Sequence, residues 1–163
     1  MTSPQTQQSP QTQHLTDTEL AAQPAAYWTR LAYETTLAYT RARIRELGYS
    51  QPQLWLLRNL SENDLSPDGR GMTIPELRQA MRTYIRPEDD LEAEAADLLE
   101  RGWLTHDDEG RLRITEQGEE TRAAFRQHVP AIRDGIHQGI DDADYVTTLR
   151  VLQQMIRNTD GTL

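Results

Sequence analysis

The residues able to do acid–base, nucleophilic or metal chemistry are few and poorly spaced for it. Cysteine is absent, which removes disulfides, thiolate metal sites and thiol nucleophiles together. The histidines are His14, His106, His128 and His137, and none sits in a His-Glu-x-x-His arrangement. His128 and His137 would face opposite ways on one helix at about 100° per residue. There is no glycine-rich phosphate loop and no serine in a nucleophile elbow. Asp107-Asp108-Glu109 lacks the alternating ligands of a calcium loop and reads as a solvated turn. The sequence predicts no enzyme, no metal site and no resident cofactor.

Carboxylate density is the exception to this blandness. The chain has 163 residues and a net charge of −9. Residues 87–110 hold ten carboxylates against the single Arg101, so this stretch alone carries the equivalent of the whole charge. All 17 cations are arginine; arginine codons are largely GC-rich, which points to a bacterial, GC-rich genome. Apolar residues make up 36% and the mean hydropathy is −0.77. No run approaches the ~18 apolar residues of a spanning helix. Met1-Thr2-Ser3-Pro4-Gln5 lacks the basic start and apolar stretch of a signal peptide, which predicts a cytoplasmic protein. The length favours one domain.

The elements that must position these charges are mostly helical. Residues 1–14 hold five Gln and two Pro and read as a disordered tail. Trp28, Leu31, Thr35, Ala38 and Ala42 recur at steps of three and four, one face of a helix from Pro24 to Gly48. Ser50 can cap a second helix, with Pro52 in its first turn and an end near Leu60. Thr73-Ile74-Pro75-Glu76 has the form of a capping box and opens a short third helix. After a turn at Tyr84-Ile85-Arg86, Pro87 suits the first turn of a helix reaching Arg101, stopped by Gly102. Residues 103–105 and 111–114 flank Asp107-Asp108-Glu109-Gly110 as a hairpin. Phe125, Val129, Ile132 and Ile136 form the stripe of a helix bent at Pro130. Tyr145, Leu149, Leu152 and Ile156 form the stripe of a last one, capped near Asp141 or Asp142.

Three helices, a turn, a helix and a β-hairpin make a winged helix-turn-helix, here with long helices at both ends. Four segments carry a closer likeness. Ser50-Gln51-Pro52-Gln53 opens the second helix, and Thr73-Ile74-Pro75-Glu76-Leu77 precedes the third. Leu98-Leu99-Glu100-Arg101-Gly102-Trp103-Leu104 enters the wing, and Ile114-Thr115-Glu116-Gln117-Gly118 leaves it. In this order they resemble the multiple-antibiotic-resistance repressor (MarR) family of bacterial transcription regulators, over residues 25–158.

The resemblance implies a mainly α fold with a small β-hairpin wing. Its parts would be a disordered tail at 1–23, an N-terminal dimerisation helix at 24–48, the winged helix-turn-helix at 49–118, and C-terminal dimerisation helices at 119–163. It implies a repressor-type homodimer on duplex DNA, with Trp28, Leu31, Phe125, Ile132, Leu149, Leu152 and Ile156 in the seam. The apolar stripes argue the same way, since they would otherwise face solvent; a three-helix cluster within one chain is the alternative. The resemblance also implies a small aromatic or phenolic effector. Trp28, Tyr33, Tyr39 and Trp55, at helical spacing, read as core, so no ligand residue is assigned.

The helix in the DNA-reading position departs from the family. It carries seven acidic residues and no basic one, and its face opposite Leu91, Ala95, Leu98 and Leu99 holds Asp89, Asp90, Ala93, Asp97 and Glu100. Such a face opposes phosphate. DNA contact is therefore expected from an angled dock through Arg70, Arg78, Arg82, Tyr84 and Arg86 at the helix start, and Arg111 and Arg113 on the wing. The alternative is a divergent family member without conventional operator binding. In that reading the acidic helix binds a basic protein, with Ala93 and Ala96 allowing close approach.

Overall fold

The computed structural model describes residues 15–162. The chain divides into two units, residues 1–38 and 39–163. The expected tail at 1–14 lies outside the described residues, as does His14.

The first unit contains a short helix, α1 (Asp17–Ala21), and the start of α2 (Ala25–Glu46). Residues 17–21 therefore depart from the tail expected over 1–23. The cause is local: the Thr16 hydroxyl accepts from the Glu19 N–H while the Glu19 carboxylate accepts from the Thr16 N–H, a reciprocal cap that satisfies two orphan donors. Tyr27, Trp28, Leu31 and Tyr33 are exposed, so Trp28 and Tyr33 are not core residues as their spacing suggested.

The second unit holds the remaining elements. These are α3 (Gln51–Leu60), α4 (Ile74–Ala80), α5 (Leu91–Glu100), β1 (Leu104–His106), β2 (Leu112–Ile114), α6 (Glu116–Phe125), α7 (Val129–His137) and α8 (Asp142–Asn158). Its core is built from Leu56, Leu57 and Leu60 of α3, Leu77 and Met81 at α4, Leu91, Ala95 and Leu98 of α5, and Leu104 and Leu112 of the hairpin. Each buried leucine contributes about 1.5–3 kcal/mol before the cost of ordering it. Ser50 and Thr73 each form the expected N-terminal cap, reciprocated by Gln53 and Glu76.

The wing is a two-stranded antiparallel ribbon pairing Leu104 with Ile114, Thr105 with Arg113 and His106 with Leu112. Met72 extends it by exchanging both backbone hydrogen bonds with Leu112. Gly102 turns the chain from α5 into the wing with φ +73°, where a side chain would be strained. Gly118 serves differently: a Cβ there would collide with the Trp103 carbonyl, so the bare backbone lets α6 pack against the wing's entry strand.

One correction concerns the C-terminal half. The stripe from Phe125 to Ile136 belongs to two helices rather than one bent helix. The break is at residues 126–128, and Pro130 lies in the first turn of α7, where its missing N–H costs nothing. α8 begins after Asp141 as expected, and no residue of it is buried.

Candidate nucleic-acid interface

α5 starts four residues later than a Pro87 opening would give, and the reason is chemical. The Asp90 carboxylate accepts from the Ala93 N–H at 3.0 Å, capping α5. Just before it, Asp89 Oδ2 accepts from the Arg86 N–H at 2.8 Å. Two consecutive aspartates thus organise a turn, and Pro87 stands in that turn rather than in the helix.

Asp89 is buried, contrary to its expected place on the exposed acidic face. Arg41 of α2 grips it through Nη1 and Nη2, each at 2.8 Å, while Arg41 Nε donates to Gln51 Oε1 at 2.9 Å. Burial pushes the Asp89 carboxyl up, but the Arg41 hydrogen bonds and the Arg86 N–H outweigh it and hold it below the usual range. Asp97 is also engaged: it accepts from Gln53 Nε2 at 2.6 Å and pairs with Arg101 at 2.8 Å. The outward surface of α5 is instead Glu92, Ala93, Ala96 and Glu100. The face on which a basic protein partner would dock is smaller by these two groups.

The expected DNA-contacting residues separate into anchored and available ones. Arg111 is anchored: its Nε donates to the Gly71 carbonyl at 2.7 Å and its Nη2 to both Glu76 carboxylate oxygens. Glu76 also accepts from the Thr73 N–H and hydroxyl, and these bonds with Arg111 lower its pKa to about 2. Tyr84 is half-buried; its oxygen accepts from Asn59 Nδ2 at 2.8 Å, and its ring lies 4.4 Å from that of Trp55. Arg78 pairs with Glu92 at 2.8 Å, Arg86 with Glu88 at 2.5 Å and Arg70 with Asp68 at 3.9 Å. Arg82 donates only to the Gln79 carbonyl, and Arg113 to the Gly69 carbonyl. Among the described arginines of this face, these two have no carboxylate partner.

A cavity of about 270 Å³ lies within the second unit. Thr40 and Ile44 of α2, Gln51, Leu54, Trp55 and Arg58 of α3, Phe125 of α6, and Val129, Ile132, Arg133, Ile136 and His137 of α7 line it. Trp55 lies between the Tyr84 ring and the Arg58 guanidinium, the latter 4.7 Å from its ring centre. Arg58 is held there by Asp64, which Arg122 also pairs. Trp55 Nε1 and His137 Nδ1 are buried and have no hydrogen-bond partner among the described residues. Phe125 and Ile132, expected in a dimer seam, are wall residues here. Tyr39 is exposed, so it too departs from the core reading.

Local sequence carried no sign that Arg41 would grip Asp89, Gln53 reach Asp97 or Asn59 meet Tyr84, because these partners lie far along the chain. The described residues contain no group of three His, Asp or Glu side chains able to hold a metal ion. No described helix is long and apolar enough to cross a membrane.

No family model and no curated protein sequence matches the chain, but solved structures do. The reduced form of MarR from E. coli superposes with a TM-score of 0.62 at 14% identity, covering 82% of this chain and 94% of that one. A Bordetella bronchiseptica protein whose DNA binding is regulated by 6-hydroxynicotinic acid gives 0.59 at 16% identity, covering 82% and 95%. A Mycobacterium tuberculosis MarR family protein in complex with p-aminosalicylic acid gives 0.59 at 16% identity, covering 82% and 98%. The chain has the winged helix-turn-helix fold of the MarR-type transcription regulators.

Proposed function

We propose that this protein is a MarR-like transcription regulator that binds duplex DNA as a homodimer and releases it on taking up a small aromatic effector. One observation carries the reading. The α4–α5 turn and the wing of a MarR-type fold present Arg82 and Arg113 without carboxylate partners, on the elements such folds use to meet phosphates. The dimer is supported by α8, where Val146, Leu149 and Ile156 share one side of the helix and are 37–41% exposed. An apolar face of that kind marks an interface, and a second copy offers the same face.

The effector is supported by the cavity. Its wall is largely apolar, with the aromatic rings of Trp55, Phe125 and His137 beside the aliphatic side chains of α2, α3 and α7, the composition of a small-molecule site. An aromatic ring bearing hydroxyl or carboxylate groups fits that wall, as 6-hydroxynicotinic and p-aminosalicylic acids suit the two structural neighbours. Titrating a hydroxylated aromatic acid into the protein bound to duplex DNA tests the proposal. DNA is released as the acid saturates; retention of DNA at saturating acid would refute the effector.

A further inference from the structure

The groove between α4 and the start of α5 has three arginines in its wall, yet two of them are neutralised from within. It has a volume of about 410 Å³, and Ile74, Arg78, Arg82, Ile85, Arg86 and Glu92 contribute to its walls. Arg78 is paired to Glu92 across the groove, and Arg86 to Glu88 on the turn below. Neither glutamate has a structural task comparable to that of Glu76, which caps α4 and tethers the wing arginine. Glu88 and Glu92 are more than half exposed, and exposed ion pairs of this kind are weak and easily exchanged.

We propose that Glu88 and Glu92 are autoinhibitory stand-ins for DNA phosphate, occupying Arg86 and Arg78 in the free protein and leaving Arg82 as the groove's open cation. A carboxylate offers a guanidinium the same pair of acceptor oxygens as a phosphate. DNA must therefore displace each glutamate before it gains the arginine. Once displaced, the carboxylate remains beside the phosphate and opposes it. The device lowers general DNA affinity, so that only a duplex geometry bringing phosphates onto both arginines recovers the lost contacts. This rests on the DNA-binding reading and adds to it which groups hold the interface partly closed.

The test is a titration of random-sequence duplex by the full chain, from 50 to 200 mM salt, for wild type and the Glu88→Gln/Glu92→Gln variant. Releasing two arginines steepens the log–log salt slope by about 1.8 per subunit, so across this range the variant's advantage shrinks about tenfold for each subunit engaged, on the order of a hundredfold for the dimer. Adding Arg78→Ala to the variant removes about half of that change. Asp108→Asn/Glu109→Gln, which deletes two carboxylates at the wing tip without releasing an arginine, gives the smaller effect of net charge alone. Equal affinity and slope for wild type and variant would overturn the proposal while leaving DNA binding intact. So would a wing-tip control that gains as much as the variant. Failure of wild type and variant alike to bind duplex at the lowest salt would overturn the DNA-binding reading, and this inference with it.

Discussion

Arg41 and Asp89, 48 residues apart, meet through two guanidinium–carboxylate hydrogen bonds of 2.8 Å. The pair ties the second half of α2 to the turn that launches α5, and Gln51 of the cavity wall completes the cluster. One arginine therefore touches both the cavity's lining and the start of α5.

Breaking that pair has a definite consequence. Asp89→Ala removes two charge-assisted hydrogen bonds from a largely buried guanidinium and costs about 3 kcal/mol. Urea unfolding checks this; a loss below about 1 kcal/mol would show that the pair is incidental.

The same carboxylate sets an acid dependence. Its folded pKa is depressed, so its stabilisation is complete above the ordinary aspartate value near 4 and is lost as pH falls through the lower folded value. Asp64, also depressed by Arg58 and Arg122 against the cost of burial, adds in the same direction. Stability should fall as pH drops below about 4, and Asp89→Asn should flatten that fall. An identical pH profile for wild type and variant would contradict the assignment.

Gly118→Ala places a methyl against the Trp103 carbonyl and should destabilise the wing by about 1–3 kcal/mol. Thermal unfolding with hydrogen exchange at Leu104 and Leu112 reads both the loss and its location. An unchanged melting temperature would mean that α6 can shift without cost.

The dimer proposal predicts that Leu149→Asp/Leu152→Asp prevents association, because carboxylates in an apolar seam must desolvate. Sedimentation should show a wild-type dimer at micromolar concentration. A folded wild-type monomer there would remove α8 as an interface.

Much of this was legible because it is local. Ser50 with Gln53 and Thr73 with Glu76 are three residues apart, and the geometry of a helix start forces each pair to meet. Gly102 and the turn at Asp107–Gly110 placed the wing by the same logic. Asp89 was misplaced because its partner lies on another helix, and helical periodicity assigns a face without saying where the helix begins. Periodicity misled similarly at residues 126–128: Phe125, Val129, Ile132 and Ile136 keep helical spacing across a break and still face one cavity. The α1 cap at Thr16-x-x-Glu19 was readable by the capping rule but lay in polar sequence beside the tail.

The cavity makes a spectroscopic prediction. A bound aromatic acid should quench the fluorescence of Trp55, which lines the wall, and Trp55→Phe should abolish most of the signal. Quenching that persists in Trp55→Phe would place the ligand elsewhere.

Whether this fold meets DNA through its arginines is decided by one titration. Wild type and the Arg82→Ala and Arg113→Ala variants are titrated onto duplex DNA across a range of salt concentrations. The account predicts salt-dependent binding by the wild type, weaker binding by each variant, and a log–log slope reduced by about 0.9 for each phosphate contact removed. Affinity and slope unchanged in both variants would contradict it.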